Sequence, residues 1–319
     1  MDNMKGTNPP IDILLPTFNG AKYLNDQVRS IMSQTYENLC LIIRDDGSTD
    51  DTIELLTAFK KTYGSKIELI LDNYGNLGTA KSVMKLMEHS NAPFIMLSDQ
   101  DDVWYEYKVE CLIKKILNYS KKEGGMPLLV ASDSRLVDAD RNRIGKSFVK
   151  NDGINMKRIY FSNILQMNIV QGASCIFNRE LLELIMKFDN MPEGIYQDYW
   201  LALTASAFGK IFYYKKPLMD YRQHGNNAVG VSRNISELKW WTGTEADRKQ
   251  LALRHYLTIN KKRCREVKSI WGSKLSARNK QILDYYSSNP YDLCEYVRMG
   301  LWREYGIVDN IWRFMIGML

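Results

Sequence analysis

The amino-acid sequence predicts an α/β protein with a mostly parallel sheet flanked by helices and a helical C-terminal extension. Short apolar runs alternate with amphipathic stretches as far as Asn118, the pattern of strand–helix–strand crossovers. Each apolar run opens into a polar loop rich in Asp, Asn and Gly, and beyond Val231 helical spacing replaces strand-like runs.

The first strand candidate, Ile11–Leu15, leads into Pro16-Thr17-Phe18-Asn19-Gly20. Tyr23, Leu24, Val28, Ile31 and Met32 then recur at helical spacing. Leu39–Ile43 ends in Asp45-Asp46-Gly47-Ser48-Thr49-Asp50-Asp51, where Ser48 and Asp51 predict a capping box for a helix to Lys61. The third unit joins Ile67–Leu71, the loop Asp72–Gly78 and a helix over Thr79–Glu88. The fourth joins Phe94–Leu97, Ser98-Asp99-Gln100-Asp101-Asp102 and a helix over Tyr107–Asn118. Right-handed crossovers make such strands parallel, so all four loops gather at the sheet edge where α/β proteins bind ligands.

After Pro127 the rhythm loosens. Strands are expected at Leu128–Ala131, Ala173–Phe177, Ile211–Tyr214 and Leu218–Tyr221, and helices at Arg179–Lys187 and Asp198–Phe208. The polar stretch Asp138–Asn155 reads as a connection. Two domains are expected: residues 1–230 as the α/β body, and residues 231–319 as a basic, aromatic-rich helical region.

Composition is that of an ordinary globular chain: 45% hydrophobic and 25% charged over 319 residues, which excludes disorder and fibrous repeats. No run approaches the length of a membrane span, and no leader peptide is recognisable. The five cysteines are spread out without a CxxC pair, which argues against a disulfide framework and suits a reducing cytoplasm. The net charge of +6 resides at one end: residues 231–319 carry 16 Lys/Arg against 9 Asp/Glu, and residues 1–230 carry 27 against 28. A near-neutral body with a basic appendage fits an anionic surface, not a nucleic-acid groove.

Carboxylates at alternate positions after a strand, as in Asp99 and Asp101, can hold one hard cation while leaving places for diphosphate oxygens. Oxygen donors without a soft thiolate imply Mg²⁺ or Mn²⁺. A polar strand-to-helix turn capped by Asp102 would look the same, and Asp-rich turns are common. Asp45 and Asp46 could accept from a pyrimidine ring N–H or from ribose hydroxyls, with Pro16, Thr17 and Asn19 packing the same nucleoside. Each loop alone has an ordinary turn reading; three in register are harder to dismiss.

Together, Pro16-Thr17-Phe18-Asn19, Asp45-Asp46-Gly47-Ser48-Thr49-Asp50, Asn76-Leu77-Gly78 and Ser98-Asp99-Gln100-Asp101-Asp102 resemble the successive motifs of family 2 glycosyltransferases, over roughly residues 10–225. The string Ser98 to Trp104 is similar to bacterial rhamnosyltransferases that build surface polysaccharides. The resemblance implies the Rossmann-like GT-A fold and an inverting transfer from a nucleotide sugar, dTDP-L-rhamnose or a UDP-sugar, to a glycan or a lipid-diphosphate-linked acceptor. It places Mn²⁺ or Mg²⁺ on Asp101 with help from Asp99. It assigns donor binding to Pro16, Thr17, Asn19, Asp45, Asp46, Asn76, Gly78, Asp99 and Gln100.

An inverting transfer needs a carboxylate to take the acceptor proton. Asp198, in Gln197-Asp198-Tyr199-Trp200, holds the position where the family usually shows Glu-Asp; Gln197 departs from that pattern. The alternative is a helix-capping Asp. His224, flanked by Arg222 and Gly225, is the candidate third metal or diphosphate ligand, and Arg222 a candidate diphosphate contact or an ordinary surface residue. His89 and His255 read as structural.

Five of the seven tryptophans follow residue 231, among clustered lysines and arginines. Basic residues interleaved with Trp, Phe and Leu suit a membrane interface, peripheral on the inner face of the plasma membrane. Packing against the catalytic body or a homodimer seam would use the same residues. Competing functions are a sugar nucleotidyltransferase, disfavoured because Pro16–Gly20 is no Gly-rich phosphate loop, and a catalytically silent glycan- or nucleotide-binding subunit. Walker A and GxGxxG patterns are missing.

Overall fold

The computed structural model describes residues 8–145, 147–151, 159–188, 191–192, 195–224, 259–288 and 293–301. The first units are β1 (Ile11–Thr17) with α1 (Ala21–Met32), β2 (Leu39–Asp45) with α2 (Thr52–Tyr63), and β3 (Ile67–Ile70) with α3 (Thr79–His89). Then come β4 (Phe94–Leu97), the two-residue β5 (Val103–Trp104) and α4 (Lys108–Glu123). The second half holds β6 (Leu128–Val137), α5 (Phe148–Asn151), α6 (Phe161–Ile164), β7 (Cys175–Asn178), α7 (Arg179–Met186), α8 (Gln197–Phe208) and β8 (Lys210–Arg222). Helical residues 259–271 form α9, followed by α10 (Ala277–Ser287) and α11 (Leu293–Arg298).

The strands form one sheet in the order β3-β2-β1-β4-β7-β6-β8-β5. The pairs β2/β3, β1/β2 and β1/β4 are parallel, as expected. The other half mixes directions: β7 runs antiparallel to β4 and β6, and β5 antiparallel to β8. Two expected strands, 211–214 and 218–221, are one strand paired in parallel with β6. The apparent gap is Pro217, which lacks an N–H and lies where the register to Asp133 shifts. The expected strand from Ala173 begins only at Cys175, because Gly172–Ser174 turn as one 3-10 helix. The expected capping box is also absent. Asp50, not Ser48 or Asp51, accepts from Thr52 N at 3.1 Å and from Ala21 N at 3.1 Å, while Ser48 turns back to Asp45.

Strand side chains alternate between two covered faces, so the strands read as unbroken apolar runs. Ile11, Ile13 and Leu15 pack with Leu24, Val28 and Ile31 of α1 and with α2 and α4; Leu14, Ile42 and Ile95 pack with α3, α6 and α8. The latter face continues into the C-terminal extension. Trp271 of α9 stacks on Trp200 of α8 at 5.1 Å, and Cys264, Val267 and Leu283 are buried in the same cluster. Of the late tryptophans, Trp271 thus packs on α8 and the helix-covered face of the sheet. Trp240, Trp241, Trp302 and Trp312, with His255 and residues 307–319, lie outside the described residues. Among the described residues no helix is long and apolar enough to cross a membrane.

Candidate active site

The C-terminal ends of β1, β2 and β4 and the turn before β7 meet round a cleft of about 610 Å³. Its first wall is two loops stitched together. Thr17 donates to Asp45 Oδ1 (2.9 Å), and Asp45 also accepts from Gly47 N, Ser48 N and the Ser48 hydroxyl. Asn19, held at a φ of 47°, donates its N–H to Ser48 Oγ and accepts from Thr49 N. Asp46 binds the third loop, accepting from Leu77 N (2.9 Å) and Gly78 N (2.8 Å), with the buried Arg44 guanidinium beside it. Gly78 sits at a φ of 78°, a left-handed geometry that glycine reaches without strain. Gln100 ties the acidic loop to the first: Phe18 N donates to its Oε1 (2.9 Å) and its Nε2 donates to Phe18 O (3.0 Å).

The floor is acidic. Burial and the neighbouring Asp101 and Asp198 push the Asp99 carboxyl up to about 7. Asp102 is fully buried; burial and its acidic neighbours raise its pKa, and its Oδ2 has no hydrogen-bond donor among the described residues. The countercharge is Lys108, likewise fully buried, whose ammonium lies 3.6 Å from the centroid of the Trp104 ring and donates to Ala173 O. Burial lowers this ammonium to about 7, against the pull of Asp102 and Asp99.

Two residues past β8, His224 Nε2 reaches Asp101 Oδ2 at 2.7 Å while its ring stacks on Tyr23 at 4.8 Å. Arg222 is placed differently from a diphosphate contact. Its guanidinium donates to Asp101 O, Ala139 O and Asp26 Oδ2, with its side chain only 4% exposed. It does not line the cleft and braces the acidic loop from behind.

The opposite wall carries Asp198, in the first turn of α8. It accepts from Tyr199 N at 2.7 Å and is further hydrogen-bonded by Gly172 N and Asn168. Burial outweighs these bonds and raises its carboxyl from 3.8 to about 6. Gly172 permits the approach, since a Cβ there would stand 3.0 Å from Asp198 Cβ. The nearby Cys175 thiol, pushed up to about 12 by burial, is no nucleophile.

Of the candidates, Pro16, Thr17, Asp46, Asp99, Gln100, Asp101 and Asp198 line the cleft. Asn19, Asp45 and Gly78 act at one remove by holding the loops, and Asn76 backs Gly47, whose Cβ would stand 3.6 Å from Asn76 N. Residues that sequence reasoning passed over include Asn168, Tyr196 and Arg263 on the Asp198 wall. Only Tyr196 carried a signal, an aromatic two positions before the acid.

No group of three or more His, Cys, Asp or Glu suited to hold a metal occurs among the described residues. The chemistry of the floor nevertheless fits a hard cation. Asp99 and Asp101 present carboxylate oxygens to the cleft, and with the His224 imidazole, which meets Asp101 just outside the lining, they make a donor set that suits Mn²⁺ or Mg²⁺. Such an ion would complete its shell with oxygens of a bound diphosphate.

A mixed sheet with acidic loops at one edge and a carboxylate facing them defines a GT-A glycosyltransferase fold. The chain belongs to glycosyl transferase family 2, whose family model matches residues 12–185. The dTDP-rhamnosyl transferase RfbG of Shigella flexneri is 27% identical over 236 residues, 70% of this chain and 75% of that protein. An uncharacterised glycosyltransferase of Nostoc sp. is 25% identical over 71% of this chain and 69% of its own length. Among solved structures, the mannosyltransferase PcManGT from Pyrobaculum calidifontis, in complex with GDP-Man and Mn²⁺, superposes with a TM-score of 0.55 at 17% identity, covering 98% of this chain and 80% of that one. S. aureus TarS 1–349 in complex with UDP-GlcNAc does so at 0.53 and 13% identity, covering 97% and 79%. Membership in this family sets aside the sugar nucleotidyltransferase reading.

Proposed function

We propose that this glycosyltransferase is inverting and metal-dependent, and that it moves L-rhamnose from dTDP-L-rhamnose to a glycan or lipid-linked acceptor. The observation that carries the mechanism is Asp198, pressed against Gly172 across the cleft from the Asp99–Asp101 floor. Its carboxylate takes the proton of the acceptor hydroxyl as that oxygen attacks the anomeric carbon. The bond from that carbon to the diphosphate breaks, and the nucleoside diphosphate leaves on the opposite face. A carboxyl at about 6 is mostly ionised at neutral pH yet basic enough to help. A divalent ion on Asp99, Asp101 and His224 would neutralise charge on the departing diphosphate. The first wall, held by Gln100 and Asp46, takes the nucleoside.

Rhamnose rests on the similarity to RfbG and on the Ser98–Trp104 string. In the fold, Val103 and Trp104 form β5 against β8 and are buried, so that part of the string supports the acidic loop and does not touch a sugar. The division at residue 230 and peripheral membrane contact belong to this proposal too, on the basic charge beyond Val231. Donor hydrolysis and transfer across UDP-, GDP- and dTDP-sugars, with Mn²⁺, Mg²⁺ or EDTA, test it. Metal-dependent selection of dTDP-rhamnose is expected. Selection of a UDP-sugar would remove rhamnose, and equal rates in EDTA would remove the metal.

A further inference from the structure

Four carboxylates line the cleft, Asp46, Asp99, Asp101 and Asp198, and among the described lining residues there is a single cationic side chain, Arg263. It arrives from α9, beyond the segment that the family model matches. Trp271 of the same helix, stacked on Trp200, anchors α9 against the catalytic body. The Arg263 guanidinium lies over the Tyr199 ring, 4.9 Å from its centroid, and its Nη1 donates to Tyr199 Oη (3.1 Å) and Asn260 Oδ1 (2.6 Å). Its Nε is shut away from solvent and has no acceptor among the described residues. The enclosed Nε cannot reach a ligand, but the guanidinium lines the acidic cleft, and its remaining donors suit a phosphoryl oxygen.

We propose that Arg263 binds a phosphoryl group of the acceptor, and so selects acceptors whose sugar is carried on a phosphate ester. The inference rests on the transferase reading above and extends it to the acceptor. The placement favours the acceptor over the donor. Arg263 touches Tyr199, the neighbour of Asp198, whereas the nucleoside wall of Thr17 and Asp46 is built from β1 and β2. A hydroxyl delivered to Asp198 belongs to the acceptor, and in a sugar phosphate the phosphoryl group lies one sugar ring away. Tyr196, 47% exposed on the same wall, offers that ring an aromatic face.

The test compares the wild-type chain with Arg263→Gln and Arg263→Lys. The acceptor sugar that supports turnover is offered as a prenyl diphosphate ester, as its water-soluble 1-phosphate and as a neutral octyl glycoside. Arg263→Gln is expected to raise KM for both phosphorylated acceptors by roughly 10- to 100-fold, the range of hydrogen bonds to charged groups. Any change in KM for the octyl glycoside or in donor hydrolysis is smaller by about tenfold, so the ratio of phosphorylated to neutral acceptor is what moves, and Arg263→Lys retains part of that preference. A loss confined to the prenyl ester would place the recognised group in the lipid and overturn the assignment. An equal rise in donor KM would assign the arginine to the donor diphosphate, also overturning it. Calorimetric binding of the sugar 1-phosphate in EDTA reads the same contact without turnover: equal affinity for wild type and Arg263→Gln, with both folded by circular dichroism, would refute it. If no donor is hydrolysed by any variant, the transferase reading fails while this binding measurement still decides the arginine.

Discussion

His224 Nε2 and Asp101 Oδ2 share a hydrogen bond of 2.7 Å, joining the end of β8 to the loop after β4 across 123 positions of sequence. Tyr23 holds the imidazole from one side by stacking, and Arg222 grips the Asp101 carbonyl. A histidine merely filling space would not need an acidic partner at the cleft. His224→Ala is therefore expected to raise the metal concentration for half-maximal activity by about tenfold or more, the scale seen when groups round a metal are removed. Asp101→Asn should do so more severely. Titration of Mn²⁺ at saturating donor measures it, and an unchanged metal requirement in both variants would remove them from the metal site.

The second prediction concerns pH. The folded carboxyl of Asp198 stands at about 6, above its ordinary 3.8, and the proposed role as base needs it ionised. Activity therefore rises as pH climbs through about 6 and falls roughly tenfold per unit below it. The linkage to stability has the opposite sign. Because the folded state holds the proton more tightly, this group's contribution is full below 3.8 and declines as pH rises through about 6. Asp198→Asn should cut transfer by about 10²- to 10⁴-fold, while its unfolding temperature at neutral pH holds or rises. Wild-type transfer rates in that variant would end the assignment.

Gln100 and Gly20 form a close pair, since a Cβ on Gly20 would stand only 2.3 Å from Gln100 Oε1. Gln100 holds both backbone groups of Phe18, so Gly20→Ala and Gln100→Ala should release the same strap. Each is expected to raise donor KM by about tenfold with kcat little changed. The double variant should cost no more than the worse single one, because one strap cannot be lost twice. Additive losses would show that the two residues act separately.

The four acidic or Asn-rich loops were legible because alternating strands and helices force parallel β1, β2, β3 and β4 to deliver them to one edge. What the carboxylates do there was not legible. Asp45 and Asp46 both read as donor contacts, yet Asp45 accepts from Thr17, Gly47 and Ser48, and Asp46 from Leu77 and Gly78. Residue type shows that an acid is present; only the fold shows which N–H groups already occupy it. Arg222 misled for the same reason. Arg263 was unreadable because its position depends on how α9 returns to the body, 64 residues past Tyr199. The mixed half of the sheet escaped because an antiparallel β7 has the same apolar run as a parallel one.

Arg44 supplies the last prediction. It is fully buried at the end of β2 and uses its whole fork: Nε and Nη2 donate to the two oxygens of Asp72 (2.7 and 3.0 Å), Nη2 to Gly75 O, and Nη1 to Ser82 Oγ and Asp46. Asp46 is itself only 3% exposed, so Arg44→Met would leave its charge buried without a counterion. Breaking one side of such a pair costs about 3–5 kcal/mol. That is a large share of a typical folding free energy of roughly 5–15 kcal/mol. Arg44→Lys keeps the charge but cannot bridge Asp72, Gly75, Ser82 and Asp46 together, so an intermediate loss is expected. Denaturant unfolding orders the three proteins. An Arg44→Met chain within about 1 kcal/mol of wild type would mean that backbone N–H groups of Leu77 and Gly78 suffice to hold Asp46.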